Sequence, residues 1–190
     1  QLVQIKISEY KSRTGRESNS CRILSSEALE AALSPYVDRN STIEAVIIRT
    51  EAGSERRNKN FSGTNPPYLT PKSMYYLVSI GCRHLLVDLP SVDKENDKGF
   101  VASHSAFFGI PAREECDGAV VARTDTEVTP ERVGTTITEL CFIPTPKTES
   151  ELEDEPQTPQ DGMYTLNLQT SPLLLDAIPS RPIIFTNPMQ

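Results

Sequence analysis

A glutamate inside an apolar run is the residue whose type and position point most clearly to chemistry. Glu139 lies in the middle of residues 136–143, where Ile137 and Cys141, on its own side of a strand, are apolar. An ionised carboxylate at such a position is costly unless a cation or hydrogen-bond donors compensate for its charge. Glu139 is therefore either a buried functional carboxylate or a residue of the solvent face, with the alternate residues of the run turned inward.

A histidine among small and apolar residues is the second candidate. His104 lies within residues 102–108, after a charged loop, and an imidazole can act there as a general base or a metal ligand. A lone histidine in these surroundings is most often a structural residue of the core or of a helix cap, so both interpretations stay open. His84, the other histidine, opens a predicted strand and is interpreted as structural. The most that this chain offers a metal is one imidazole with one or two carboxylates, which is half a coordination shell.

Two aspartates flank a turn that follows a predicted strand. Asp88 and Asp93 enclose residues 89–92, at the carboxyl end of that strand, where ligands gather in open α/β sheets. The alternative for either residue is ordinary turn chemistry, in which the side chain bonds to its own backbone. The sequence contains no glycine-rich phosphate loop, no GxSxG elbow and no HExxH helix.

A predicted strand–helix–strand unit positions these aspartates at the end of its second strand. The β-branched run at 45–50 predicts a strand covered on both faces, and residues 84–90 predict a second strand. Between them, Thr70 caps a helix that has Pro71 at its first position and ends at Gly81. Short joints of this kind predict a βαβ unit, with the two strands parallel and adjacent.

The remaining segments predict further elements of an α/β domain with about six strands and two or three helices. Ser25 or Ser26 caps a helix that ends near Pro35. Alternating or apolar runs predict strands at 2–7, 136–143, 164–169 and 182–186. Residues 112–134 are predicted to be irregular, and the proline-rich acidic residues 144–161 are predicted to form a surface loop.

Length and charge narrow the classes of function. The chain has 190 residues, enough for one ordinary domain, and a formal net charge of −7. This charge repels phosphate backbones and anionic lipids, and no apolar stretch approaches the roughly 18 residues of a membrane span, so we expect neither a nucleic acid nor a membrane as partner. The four cysteines form no CxxC pair and are expected to be reduced thiols in an intracellular compartment.

Several of these segments resemble the second half of the cyclase family, which includes bacterial kynurenine formamidase. The most specific of them is the run DLPSVD at residues 88–93, followed by His104. The resemblance covers about two thirds of the chain, in the segments 45–50, 60–69, 84–93, 102–109, 136–140, 164–169 and 180–183.

The resemblance implies a fold and an activity. The fold is one α/β domain over residues 1–190, with a mixed sheet curled towards a barrel and helices outside, in a swivelling β/β/α arrangement. Loops at about 112–134 and 146–161 are inserted into it. The activity is the hydrolysis of a formamide or cyclic amide of a small molecule, as in tryptophan catabolism, by water that a divalent metal, zinc or manganese, activates. His104 and Glu139 match metal ligands of the family, so we expect their side chains within about 5 Å of each other, facing one pocket.

Two departures from the family limit these expectations. The family motif HxGTHxDxP is missing, so we expect the fold to be incomplete at its N-terminus and the chain to be inactive alone, and Ser105 stands where many members have a second histidine. The resemblance implies a homodimer or completion by an N-terminal segment, in the cytoplasm or in an organelle. The alternatives are a catalytically inactive, truncated domain that serves as a structural or interaction subunit, and a binding module that uses the acidic loop.

Overall fold

The computed structural model describes residues 2–5, 8–11, 20–37, 42–50, 59–111, 113–116, 119–122, 132–143 and 159–186. Within these residues the chain forms three helices and eleven strands. The helices are α1 (Ser26–Leu33), α2 (Pro71–Ser79) and α3 (Ala102–Phe108). The strands are β1 (Leu2–Ile5), β2 (Ser8–Lys11), β3 (Ser20–Leu24), β4 (Ala45–Thr50), β5 (Tyr68–Leu69), β6 (His84–Val87), β7 (Arg113–Cys116), β8 (Ala119–Ala122), β9 (Thr136–Thr138), β10 (Tyr164–Thr170) and β11 (Ser180–Thr186).

The central element is a parallel sheet with the strand order β1-β4-β6-β9. Strand β4 pairs with β6 in the register Val46↔Leu85 and Ile48↔Val87, so the predicted βαβ unit is confirmed. Strand β9 adds to the other side of β6, with Ile137 opposite Leu85. Because all four strands are parallel, the segments that follow β6 and β9 leave the sheet at the same edge.

The sheet is covered on both faces. On one face, Val46, Leu85 and Val87 pack with buried residues of all three helices, including Leu29, Leu77 and Phe107. On the other face, Ile47 and Leu86 pack with Ile143 and with residues of the antiparallel hairpin β10–β11. The described residues are therefore layered as helices, parallel sheet and hairpin, which explains why β4 is a continuous apolar run.

The first two helices begin where the sequence predicts. The Ser25 side chain accepts a hydrogen bond from the Ala28 amide, and Thr70 caps α2 by accepting from the Ser73 amide. Pro71 occupies the first turn of α2, where its missing N–H leaves no bond unmade. These caps satisfy amides that have no partner inside the helix.

Helix α3 begins at a strained residue. Val101, at its N-cap, has a φ of 43°, a conformation that costs a β-branched residue of the order of 1–3 kcal/mol. The Val101 amide donates to Asp97 at 2.6 Å, which holds the chain in this turn. The helix ends at Gly109, whose φ of 63° suits a residue without a side chain.

The strand predicted at 136–143 is shorter than expected. Strand β9 ends at Thr138, and Leu140 adopts a φ of 56°. This turn reverses the alternation of side chains, so Ile137 packs on the helix side of the sheet while Cys141 and Ile143 pack on the hairpin side. The prediction that Ile137, Glu139 and Cys141 lie on one side of a single strand is therefore wrong.

Other expectations about the fold have different outcomes. The described strands form four separate sheets, none of which closes into a barrel, so a sheet curled towards a barrel stays a prediction. Within the predicted irregular segment 112–134, β7 and β8 pair as an antiparallel hairpin. Most of the proline-rich acidic segment 144–161 lies outside the described residues. No helix in the described parts of the chain combines the length and apolar character needed to cross a membrane.

Candidate functional site

The structure brings the two leading candidates together at the carboxyl ends of β6 and β9. His104 Nε2 lies 3.5 Å from Glu139 Oε1, although the two residues are far apart in the sequence. Both side chains line one cavity of about 700 Å³. Its other walls come from Phe108 of α3, Thr138 of β9 and the hairpin layer, including Asp176 and Pro182. The site is therefore assembled from all three layers of the molecule.

The Glu139 carboxylate is held by a backbone amide. Its Oε1 atom accepts a hydrogen bond of 2.8 Å from the Val92 amide, and the side chain is 28% exposed. The next residue, Leu140, donates its amide to the Leu89 carbonyl at 2.8 Å. Glu139 is thus neither sealed in the apolar core nor placed on an open surface, because its charge is compensated at the edge of the sheet.

The His104 imidazole is held by Asp93. The distance from Nδ1 to Asp93 Oδ2 is 2.6 Å, and the other carboxylate oxygen accepts from the Ser103 amide at 2.6 Å. Burial by itself would lower the pKa of His104, but the hydrogen bond to Asp93 and the charge of Glu139 outweigh it and raise this pKa. Burial would raise the pKa of Asp93, yet its hydrogen bonds with His104 and Ser103 hold that pKa below the ordinary value.

One short turn supports both side chains. Residues 91–93 follow β6 and supply the Val92 amide to Glu139 and the carboxylate of Asp93 to His104. The Val92 side chain is completely buried in the core, and the Val92 carbonyl accepts from the Leu69 amide at 2.9 Å. The Asp93 amide donates to Ser91 Oγ at 3.1 Å. The turn is therefore held both by the core beneath Val92 and by a hydrogen bond between its own residues.

The other two residues considered from the sequence lie elsewhere. Asp88 faces the interior, where its Oδ2 accepts from the Thr50 amide at 2.9 Å and so ties the ends of β4 and β6 together. His84 lies at the amino end of β6, with Nδ1 at 3.0 Å from Thr136 Oγ1. Burial and the nearby charge of Arg83 lower the pKa of His84. Neither residue reaches the cavity that His104 and Glu139 share.

The donor atoms fit part of a metal site. Two ligands of a tetrahedral zinc ion, with bonds of about 2.0–2.2 Å, lie about 3.4 Å apart, and His104 Nε2 and Glu139 Oε1 are 3.5 Å apart. Asp93 occupies Nδ1, so it is Nε2 that faces Glu139. Among the described residues, no group of three or more His, Cys, Asp or Glu side chains could hold a metal. The described chain thus offers two donors of a coordination shell.

Sequence reasoning missed two parts of this site. It left Asp93 open between a ligand site and turn chemistry and did not pair it with His104, whereas in the structure its amide bonds within the turn and its carboxylate bonds His104. The signal for the second role was the DLPSVD run followed by a histidine. No local pattern indicated the Val92 amide or the wall formed by Asp176 and Pro182, because these contacts join segments far apart in the chain.

Comparison with known proteins shows a similarity to one family over the first part of the chain. A family model described as "Putative cyclase" matches residues 1–94. The resemblance to the cyclase family is confirmed. This match includes the DLPSVD run, whereas His104 and Glu139 follow the matched residues, so their assignment as cyclase metal ligands stays a prediction. A search of curated proteins finds no match to the sequence.

One solved structure similar to the chain is described as "The Structure Of Potential Metal-Dependent Hydrolase With Cyclase Activity". Superposition with it gives a TM-score of 0.42 at 15% sequence identity. The similarity covers 86% of this chain and 63% of the other, so the present chain spans less than two thirds of that protein's length.

Proposed function

We propose that this chain forms part of a metal-dependent hydrolase that cleaves a formamide or cyclic amide bond of a small molecule, as kynurenine formamidase does in tryptophan catabolism. The observation that carries this proposal is the array Asp93–His104–Glu139, in which an imidazole nitrogen and a carboxylate oxygen lie 3.5 Å apart in one cavity. The family match supports the same class of protein. A cavity of about 700 Å³ has the size of a small-molecule site.

The residues of the chain have distinct tasks in this proposal. His104 would offer Nε2 and Glu139 its carboxylate to a zinc or manganese ion, while Asp93 and the Val92 amide hold these two side chains in place. Such an ion, when bound, activates water and polarises the carbonyl of the substrate. The wall formed by Phe108 and Pro182 excludes water from one side of the substrate and favours an apolar group there.

The complete protein is part of the proposal. The remaining metal ligands come from outside the described residues, from a preceding segment or from a second copy in a homodimer. In the complete enzyme the parallel sheet curls towards a barrel around the site. Sedimentation of the protein at several concentrations tests the homodimer, since a single species of about 21.1 kDa would contradict it.

The experiment that tests the metal site compares metal content and amide hydrolysis. The protein is combined with an N-terminal segment of the family, stripped with a chelator, reloaded with zinc or manganese, dialysed and assayed with N-formylated arylamines. His104→Ala and Glu139→Gln are expected to lose the bound metal and the hydrolysis, whereas the matched control His84→Asn, at the other end of the sheet, keeps both.

Three outcomes separate the alternatives. Metal and activity retained in both site variants would contradict the assignment of His104 and Glu139. Wild-type protein that holds no metal and gains no activity when an N-terminal segment of the family is added would instead support the inactive structural subunit. Activity that appears only with that segment would support an enzyme whose ligands are divided between two parts.

A further inference from the structure

We propose that Asp93 is a positioning residue that fixes the neutral imidazole of His104 as its Nδ1–H tautomer, so that the Nε2 lone pair faces Glu139 and the cavity. The use of this lone pair by a metal rests on the proposed function, whereas the tautomer itself does not. Among the described residues, the hydrogen bond that sets the ring is the one between Asp93 Oδ2 and Nδ1, at 2.6 Å, whereas Nε2 lies 3.5 Å from Glu139 Oε1 without a hydrogen bond to it.

The chemistry of the contact requires this tautomer. An ionised carboxylate accepts hydrogen bonds and donates none, so the proton between Asp93 Oδ2 and His104 Nδ1 belongs to the imidazole. The contact of 2.6 Å is short, as expected for a bond to a charged acceptor. The neutral ring then carries its lone pair on Nε2, which is the nitrogen nearest to Glu139.

The orientation of the Asp93 carboxylate is fixed by further contacts. Its second oxygen accepts from the Ser103 amide at 2.6 Å, and its side chain is 7% exposed. The Ser103 hydroxyl in turn donates to the Leu69 carbonyl at 2.7 Å, which fixes the start of α3 against the segment before α2. His104 and its partner are therefore both attached to the same rigid frame, and the tautomer is set before any ligand binds.

The second histidine provides a contrast within the same molecule. His84 Nδ1 faces the hydroxyl of Thr136 at 3.0 Å. A hydroxyl either donates or accepts, so this partner does not force one tautomer on His84. A difference between the two imidazoles in one sample would therefore report the carboxylate at Asp93 rather than a general property of the solvent or of the ring.

The test is a long-range proton–nitrogen correlation spectrum of the metal-free, nitrogen-15-labelled protein at an alkaline pH where both imidazoles are neutral. The two rings are assigned with His84→Asn. In the wild-type protein, Nδ1 of His104 is expected to show the chemical shift of a protonated ring nitrogen, and Nε2 that of an unprotonated one.

In Asp93→Asn the side-chain amide can donate to Nδ1, so the tautomer population of His104 is expected to move to the Nε2–H form. The matched control is Asp97→Asn, which removes the same charge from the same loop. The Asp97 carboxylate accepts from the Gly99 and Val101 amides, so this variant is expected to keep the wild-type tautomer.

The outcomes are decisive even if one variant does not fold. A wild-type spectrum with His104 in the Nε2–H form overturns the inference by itself. An unchanged tautomer in a folded Asp93→Asn also overturns it, and a change in Asp97→Asn would assign the effect to charge rather than to the contact.

The affinity for zinc gives a second and independent test of the positioning role of Asp93. Replacement of a group that orients a ligand typically costs about 10- to 100-fold in affinity, so zinc should bind Asp93→Asn about that much more weakly than it binds the wild type or Asp97→Asn. Equal zinc affinity in all three proteins would contradict the positioning role at a metal site. Wild-type protein with the Nδ1–H tautomer but no zinc binding would contradict the proposed function and leave the role of Asp93 towards His104 supported.

Discussion

At the scale of single residues, the site is a balance between three ionisable groups. His104 lies between Asp93 and Glu139, so one imidazole faces two carboxylates. The buried Asp93 is compensated by the Ser103 amide and the ring, and Glu139 by the Val92 amide. An additional positive charge beside His104 and Glu139 would complete this compensation, which is the electrostatic reason to expect a cation there.

Cys82 is expected to be chemically silent in the folded protein. Its side chain is completely buried, and this burial raises the pKa of the thiol from 9.0 to about 12. The thiol is therefore protonated at neutral pH, and the reactive thiolate is scarce. Labelling with iodoacetamide at about pH 8, followed by peptide mass analysis, should leave Cys82 unmodified in the native protein and modify it in urea.

The same shift predicts how stability depends on pH. Because the folded pKa lies above the unfolded one, the contribution of Cys82 is complete below pH 9.0 and is lost as the pH rises through about 12. The difference in the free energy of unfolding between wild type and Cys82→Ala should shrink over that range. Rapid labelling of native Cys82, or a difference that grows with pH, would contradict its burial as a neutral thiol.

Residues differ in how far the sequence reveals their role. Glu139 was recognisable because a carboxylate among apolar neighbours needs a partner, but the partner itself was not. The reason is Leu140, whose φ of 56° is a conformation that leucine rarely adopts, so no sequence pattern predicts the turn after Glu139. For Asp93, the local hydrogen bond within the turn was predictable from the sequence. Its hydrogen bond to His104 was not, because that bond depends on how α3 packs.

At the scale of elements, helix α2 carries much of the helix-side core. Met74 and Leu77 are completely buried, whereas Tyr75 on the opposite side of the helix is 62% exposed. The Ser73 hydroxyl donates to the Leu24 carbonyl at 2.7 Å, which joins α2 to the end of β3. Helix α2 also packs directly against α3, the helix that carries His104.

Leu77→Ala is expected to lower the free energy of unfolding by about 2–5 kcal/mol, because it leaves a cavity in a closely packed core. Tyr75→Ala, on the same helix, should change it by less than about 0.5 kcal/mol because the ring is largely in solvent. Urea denaturation of both variants measures the two values. Equal losses in the two variants would show that α2 is packed with a different face towards the sheet.

Elements with a strong local signal were predictable and short ones were not. The caps at Ser25 and Thr70 and the β-branched run of β4 each specify their element through nearest neighbours. Strands such as β5, with two residues, and β2, with the sequence SEYK, have little pattern of their own. They form because a partner strand supplies the missing hydrogen bonds, and that information lies elsewhere in the chain.

At the scale of the whole molecule, an ion pair ties the hairpin layer to the sheet. Arg49 of β4 donates to Asp161 at 2.8 Å and to the Pro159 carbonyl at 2.9 Å, just before β10 begins. Its side chain is 2% exposed, while that of Asp161 is 41% exposed. The sequence placed Arg49 in a buried strand but could not indicate its partner, which lies beyond more than a hundred intervening residues.

Asp161→Asn is expected to lower the free energy of unfolding by about 1–2 kcal/mol, since a hydrogen bond to a charged group is weakened and the exposure of Asp161 moderates the loss. Glu30→Gln, on the exposed side of α1, is the control and should change it by less than about 0.5 kcal/mol. Thermal and urea denaturation measure both. A variant as stable as the wild type would mean that the apolar contacts and the hydrogen bond from Arg49 to the Pro159 carbonyl are enough to hold the hairpin against the sheet.

The strand order also has a consequence during translation. Strand β9, which covers one side of β6, leaves the ribosome about 50 residues after it. At about 5–20 residues per second, the nascent chain carries β6 as an open edge for roughly 2–10 s. The residues Leu85–Val87 are apolar, and an open apolar edge can pair with a neighbouring polypeptide. A chaperone that covers nascent strands is therefore expected to protect the chain most in the interval before β9 emerges.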